Sequence, residues 1–344
     1  MAGVKRIGIL TAGGDCPGLN AVIRGVVARA RTAHGAEAVG ILDGWEGLMD
    51  GRTVPLDRDA VRGILQRGGT ILGTSRKDPY VHGDGADSVR SAIEAERLDA
   101  VVVVGGDGTL RTALQLAEEG LPLIGVPKTI DNDIAATDVT FGFDTAVQIA
   151  TEAVDRITTT AESHDRVMLV EVMGRTKGWI ATYAGIAAGA DATLVPEEPW
   201  SLEELAATVR RRADAGRRYS VVVVAEGVDP PPGVTMAMSV DAFGFERLGG
   251  VSYAIAHGLE ELTGIETRVA VLGHLQRGGS PTAYDRVLGS RLGVAAADLA
   301  ARGGFGRMVA LRGVEIVDVG LTEACAEIRG VPGSILDVAR TFTL

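Results

Sequence analysis

Val101-Val102-Val103-Val104-Gly105-Gly106-Asp107-Gly108-Thr109 is the stretch that decides the fold class. Four consecutive valines without polar alternation describe a strand covered on both faces, as inside a parallel sheet. The glycines end that strand, and Leu110 to Glu118 has helical period, so the segment is strand, turn and helix start. Outward from it the pattern recurs. Val/Ile-rich runs at Arg6–Leu10, Leu123–Val126, Val167–Val172, Val221–Ala225 and Thr267–Leu272 alternate with longer Ala/Leu/Arg segments. Such alternation predicts βαβ units, hence an α/β fold with mostly parallel sheets.

The chain has 344 residues, more than one hydrophobic core usually serves, so two lobes are expected. Hydrophobic residues make up 46% and aromatics only 4%, which leaves Val, Ala, Leu and Ile to build the core. Thirty-four Lys and Arg against 45 Asp and Glu give a net charge of −11. That balance argues against nucleic-acid or membrane-surface binding, both of which want a cationic field. Cys16 and Cys325 make no disulfide framework and fit a reducing cytoplasm. Met1 to Leu10 leads directly into a strand with no signal-peptide pattern, and no apolar run approaches the roughly 20 residues of a membrane span. Met236–Gly250 is expected to connect into a helix around Ser252–Leu262, with Pro230-Pro231-Pro232-Gly233 a rigid loop.

In open α/β sheets ligands sit at the carboxyl ends of the strands, so the residues there are site candidates. Gly105 to Thr109 lets backbone approach a phosphate at a helix N-terminus, and Asp107 would avoid repelling it by meeting Mg²⁺. The alternative is a tight βα turn without a ligand. The string is also similar to NAD kinases and diacylglycerol kinases, so it indicates a phosphoryl donor without fixing the acceptor. Lys128-Thr129-Ile130-Asp131-Asn132-Asp133 places carboxylates beside a cation at another strand end. Asp131 can orient a hydroxyl and take its proton; Asx-turn and cap chemistry is the competing use.

Arg166, Arg175, Arg268 and Arg277 supply local positive charge, and guanidinium matches phosphate bidentately. His274 beside Arg277 offers a neutral donor. Arg210-Arg211-Arg212 with Arg217-Arg218 reads as a solvated helix end, Cys16 as small filler, and the five histidines lack transition-metal spacing.

Taken together, Gly13–Ala21, Gly68-Gly69-Thr70, Gly105–Thr109, Thr129–Asp133, Val172–Arg175 and Leu272–Asp285 resemble the 6-phosphofructokinases, in order from about Ile7 to Arg307. The resemblance implies two Rossmann-like three-layer lobes with the active site between them, and phosphoryl transfer to the 1-hydroxyl of fructose 6-phosphate with Mg²⁺. By position, Asp131 is the base and Asp107 the Mg²⁺ contact. Thr129, Met173-Gly174-Arg175, Glu226 and the His274–Arg277 stretch would hold the sugar phosphate. Gly14, Arg76, Lys77 and the loop Gly106, Asp107, Gly108 and Thr109 would contact the donor, with Arg76 and Arg175 stabilising charge on the transferring group. Arg166 and Arg268 are similar to arginines delivered across a subunit interface, so a homodimer or homotetramer is expected.

Two donor markers disagree. Gly108 leaves room for the α-phosphate of ATP, whereas Lys128 is similar to the pyrophosphate-using members; the steric marker is given more weight, so ATP is expected and pyrophosphate is the alternative. Thr176-Lys177 departs from the family pattern and opens sedoheptulose 7-phosphate as an acceptor. Ala28, Thr158 and Ala215 stand where charges of the bacterial effector site are expected, which predicts weakened regulation. A silent sugar-phosphate sensor is disfavoured, having no chemical need for both acids. The lobes are expected at 1–140 with part of 255–305, and at 141–254, with 306–344 a C-terminal strand and tail packing back.

Overall fold

A computed structural model describes residues 4–234 and 248–342. Strands run over Arg6–Thr11 (β1), Glu37–Ile41 (β2), Thr53–Leu56 (β3), Ala100–Gly105 (β4), Leu123–Thr129 (β5), Phe141–Gly142 (β6), Val167–Val172 (β7), Ala192–Leu194 (β8), Ser220–Ala225 (β9), Thr267–Val271 (β10), Arg307–Arg312 (β11) and Glu315–Gly320 (β12). They divide between two compact units, Met1–Asp144 with Arg277–Arg329, and Thr145–Gln276 with Gly330–Leu344.

The first unit holds a sheet in the order β12-β11-β5-β4-β1-β2-β3, with β6 pairing β5. The interior pairs are parallel, and antiparallel β3 and β12 close the two ends. Because β1, β4 and β5 lie side by side and run the same way, the three chemistry-bearing loops leave the same edge of the sheet. Burial explains the valine run: Val101 to Val104 are fully covered, with Val101 and Val103 in one core cluster with Leu10, Leu110, Leu123 and Met308. Helix Leu19–His34 follows the β1 loop and lies against helix Ala283–Ala301. That contact is backbone to backbone. A Cβ on Gly25 would stand 2.7 Å from the Ser290 carbonyl oxygen, and one on Gly293 2.4 Å from that of Val22.

The second unit has a fully parallel sheet, β10-β7-β9-β8. Helices Trp179–Ala188, Leu202–Asp214, Val251–Thr263 and Gly333–Phe342 accompany it. Arg212 corrects the expectation of a solvated helix end. It is 6% exposed, with Nη2 2.6 Å from Asp191 Oδ1 and Nε donating to Ser220 Oγ at 3.1 Å, while Arg210, Arg211, Arg217 and Arg218 are exposed. A helix tip packed on a strand end buries one guanidinium only because a carboxylate is buried with it.

The boundaries also differ from expectation. The stretch 255–276 belongs to the second unit, because β10 pairs β7 there and helix Val251–Thr263 packs on helix Leu202–Asp214. Residues 277–329 return to the first unit, where β11 and β12 extend its sheet, and Gly330–Leu344 goes to the second. Most of Met236–Gly250 lies outside the described residues, and the helix expected after it spans Val251–Thr263. No helix among the described residues is long and apolar enough to cross a membrane.

Candidate active site

In the first unit, the loop after β1 is built on glycine. Gly13 has φ 82°, and a Cβ on Gly14 would stand 2.7 Å from Arg277 Nη1. Arg277 donates to the Asp15 carbonyl at 3.1 Å, and Lys128 Nζ donates to the Gly14 carbonyl. Two cations therefore lie under one backbone segment. Lys128 is buried, and desolvation pulls its ammonium below the usual lysine range. Asn20 braces the neighbouring Gly68-Gly69-Thr70 turn, its Nδ2 donating to the Arg67 carbonyl at 3.1 Å and its Oδ1 accepting from Ile71 N at 2.9 Å. Gly68 presses on the backbone of Gly279.

After β4, Gly106 caps helix Asp107–Glu118, which places Asp107 in the first turn. Both Asp107 oxygens accept from Arg111 Nε, at 2.9 and 3.0 Å. Gly105 touches Thr109, so that glycine is needed by the turn itself; a Cβ on Gly108 meets nothing within 4 Å. Gly108 is thus not required by the packing. Arg76 is exposed, and Lys77 Nζ pairs with Glu46 Oε1 at 2.6 Å.

After β5, Thr129 Oγ1 accepts from Asp131 N at 3.0 Å, turning the chain so that Asp131 follows the strand end at 4% exposure. Asp131 Oδ1 is buried without a hydrogen-bond partner. An orphaned carboxylate oxygen is costly in a folded protein and marks a place where a donor arrives from outside. Asn132 at φ 53° and Ala136 at φ 59° are left-handed, and Asn132 Oδ1 accepts from Thr140 N at 3.0 Å.

The second unit gathers the remaining cations. Glu226 Oε1 accepts from Gly174 N at 3.2 Å and Arg175 N at 2.9 Å, holding a turn in which Arg175 has φ 52°. Met173, Gly174 and Arg175 therefore owe their placement after β7 to Glu226, a supporting use beyond the binding role expected for it. Arg166 Nε lies 2.7 Å from Glu266 Oε2, and Arg268 pairs with the same carboxylate, which holds Glu266 below the usual glutamate range. Glu266 was not singled out by sequence, although its place in Glu266-Thr267-Arg268 is the available signal. His274 is exposed on the short 3₁₀ helix Gly273–Arg277.

The structure thus gathers Gly14, Arg76, Lys77, Gly106 to Thr109, Lys128, Thr129, Asp131 and Arg277 in the first unit. Arg166, Met173 to Arg175, Glu226, Arg268 and His274 belong to the second. Arg277, expected with the sugar phosphate, props the Gly14–Asp15 backbone. Cys16 is buried and its thiol pushed up by desolvation, with Sγ beside the Phe141 carbonyl, which fits a filler.

The described residues contain no cluster of three or more acidic, His or Cys side chains able to hold a metal. Asp107, a lone carboxylate at a helix start, fits a Mg²⁺ that arrives on phosphate oxygens and needs one protein ligand.

The model of the phosphofructokinase family matches residues 6–300. ATP-dependent 6-phosphofructokinase 3 of Streptomyces coelicolor is 55% identical over 330 residues, covering 95% of this chain and 96% of that one. The pyrophosphate–fructose 6-phosphate 1-phosphotransferase of Amycolatopsis methanolica is 53% identical over 340 residues, covering 98% and 99%. Among solved structures, Pichia pastoris phosphofructokinase in the T-state superposes with a TM-score of 0.83 at 32% identity, over all of this chain and 37% of that longer one.

Proposed function

Because this chain belongs to the phosphofructokinase family, we propose that it phosphorylates fructose 6-phosphate to fructose 1,6-bisphosphate with ATP. The observation that carries this reading is Asp131, a buried carboxylate at the end of β5 with one oxygen awaiting a donor, beside glycine loops open to phosphate. The sugar 1-hydroxyl gives its proton to Asp131 as its oxygen bonds to the terminal phosphorus, and the bond to ADP breaks in line. Thr129 orients Asp131 through its backbone N–H. Arg76 and Arg175 balance charge on the transferring group, while Arg166, Arg268, Met173 to Arg175, Glu226 and His274 serve the sugar phosphate. Mg²⁺, held at Asp107, supplies charge neutralisation on the phosphates, and Arg111 shares that carboxylate. Active sites completed by Arg166 and Arg268 of a second copy make the working unit a homo-oligomer, acting in the cytoplasm.

The donor rests on Gly108 and Lys128. The Lys128 ammonium is used on the Gly14 carbonyl, which supports ATP over a lysine reserved for the transferring phosphate. The pyrophosphate reading keeps its place through the 53% identity to a pyrophosphate enzyme. Turnover of fructose 6-phosphate with Mg²⁺ and either donor at matched concentration decides: ATP alone supports the reading, and pyrophosphate turnover as fast as with ATP overturns it.

Gly108→Asp tests the steric marker. Since the position opens on space, the variant is expected to fold normally. ATP turnover should fall roughly 100-fold, because like charges brought together cost several kcal/mol. Unchanged ATP kinetics would remove Gly108 as the donor determinant.

A further inference from the structure

The loop that carries Asp131 is held by a side chain nearly 200 residues further along the chain. Arg329 Nη2 donates to the Asn132 carbonyl at 3.0 Å, with Nε on the same oxygen at 3.3 Å. Its Nη1 donates to the carbonyls of Thr137 and Asp138, each at 2.8 Å. The Arg329 backbone N–H donates to the Asp133 carbonyl at 2.8 Å, and Ile328 bridges Ile134 in antiparallel fashion. One residue thus engages four backbone carbonyls between Asn132 and Asp138.

The loop needs such a holder. Asn132 and Ala136 are both left-handed, a conformation that disfavours a residue with a Cβ, and alanine has no side-chain oxygen to offset it. Backbone in sparsely populated conformations persists only where its surroundings fix it. A planar guanidinium with five donors in a rigid fork can satisfy three carbonyls at once, which a flexible ammonium with three rotating donors cannot reproduce in the same plane. Asp131 sits directly before the clamped residues.

We infer that Arg329 is a positioning residue that fixes the Asn132–Asp138 backbone and thereby aims the Asp131 carboxylate. The guanidinium bonds described go to backbone carbonyls. The inference rests on Asp131 being the base, so its test includes a readout that does not depend on that assignment.

Arg329→Ala and Arg329→Lys are compared with the unaltered full-length protein, measuring kcat and KM for ATP and fructose 6-phosphate. Amide hydrogen exchange is followed across the chain, and guanidinium chloride at low millimolar concentration is added to the alanine variant. A base displaced by about 1 Å loses on the order of 100-fold in rate, so kcat should fall by that scale while KM for ATP stays within about twofold. Exchange should rise in the 132–138 segment while the β1, β4 and β5 amides remain protected, the lysine variant should recover little, and added guanidinium should restore part of kcat. Wild-type kcat in Arg329→Ala with raised exchange would overturn the link to catalysis while leaving the clamp. Unchanged exchange in 132–138 would overturn the clamp itself, and loss of protection throughout the unit would reduce Arg329 to a fold element. If Asp131→Ser proved active, the base assignment would fail by itself, and exchange in the Arg329 variants would still decide the clamp.

Discussion

Asp131→Ser is expected to lower kcat by roughly 10²- to 10⁴-fold, the range a positioned general base contributes, with KM for ATP little changed. The reason is local. Asp131 is 4% exposed, its Oδ1 has no partner in the protein, and its backbone N–H is spent on Thr129 Oγ1. A buried carboxylate oxygen left unpaired opposes folding, so removing it relieves a cost rather than breaking a contact. The serine variant should therefore unfold at the same temperature as the unaltered protein or a higher one. Steady-state turnover with ATP and a thermal melt on the same preparation check both halves. A variant that keeps near-full activity removes Asp131 as the base; one that is inactive and markedly less stable assigns it to the scaffold.

Gly293→Val is expected to destabilise the first unit by about 3 kcal/mol, the upper part of the range for overpacking a tight contact. A Cβ there would meet the Val22 carbonyl oxygen at 2.4 Å, and across the same contact one on Gly25 would meet the Ser290 carbonyl oxygen at 2.7 Å. Neither obstacle is a side chain that can rotate away, so helices Leu19–His34 and Ala283–Ala301 must separate. Helix Leu19–His34 begins directly behind the Gly13–Gly18 loop, hence the donor KM should rise along with the loss of stability. Urea unfolding with ATP kinetics measures both. An unchanged midpoint would mean that the helices part without cost and that the glycines do not set their spacing.

How much of this was visible beforehand depended on how local the cause was. The interior strands announce themselves because burial on both faces demands unbroken Val/Ile runs; all six runs read from the sequence are strands, five of them interior and β10 at the end of its sheet. β2 and β3 carry no comparable run. Glu315–Gly320 is an antiparallel end strand that alternates between cover and solvent, and the buried Met308–Leu311 run of β11 is short and bounded by arginines, so β11 and β12 were anticipated only as a C-terminal strand. Asp107, Thr129, Asp131 and Arg175 were legible for the same local reason, each lying within a few residues of a strand end, whereas Arg76 and Lys77 lie in the long connection between β3 and β4. Their supports were not. Glu226 acts on a turn some 50 residues earlier, and Arg329 on carbonyls 197 residues earlier, separations that no periodicity records. Arg212 was misread since an arginine triplet on a helix looks solvated until a buried aspartate from another element is brought to one of its members.

The interrupted first unit has a consequence for how the chain is made. β6 pairs β5 only at Lys128 and Thr129, so Ile124 and Gly125 of β5 receive their partner only when β11 has been synthesised, and the Asn132–Asp138 loop is clasped only when Arg329 has emerged. At roughly 5–20 residues per second, β5 waits about 10–35 s on the ribosome with the edge at Ile124 and Gly125 open. Over that interval a nascent sheet offers the template on which edge-to-edge aggregation starts. Truncated or stalled chains ending before β11 are therefore the forms of this protein most dependent on chaperones that mask exposed strands.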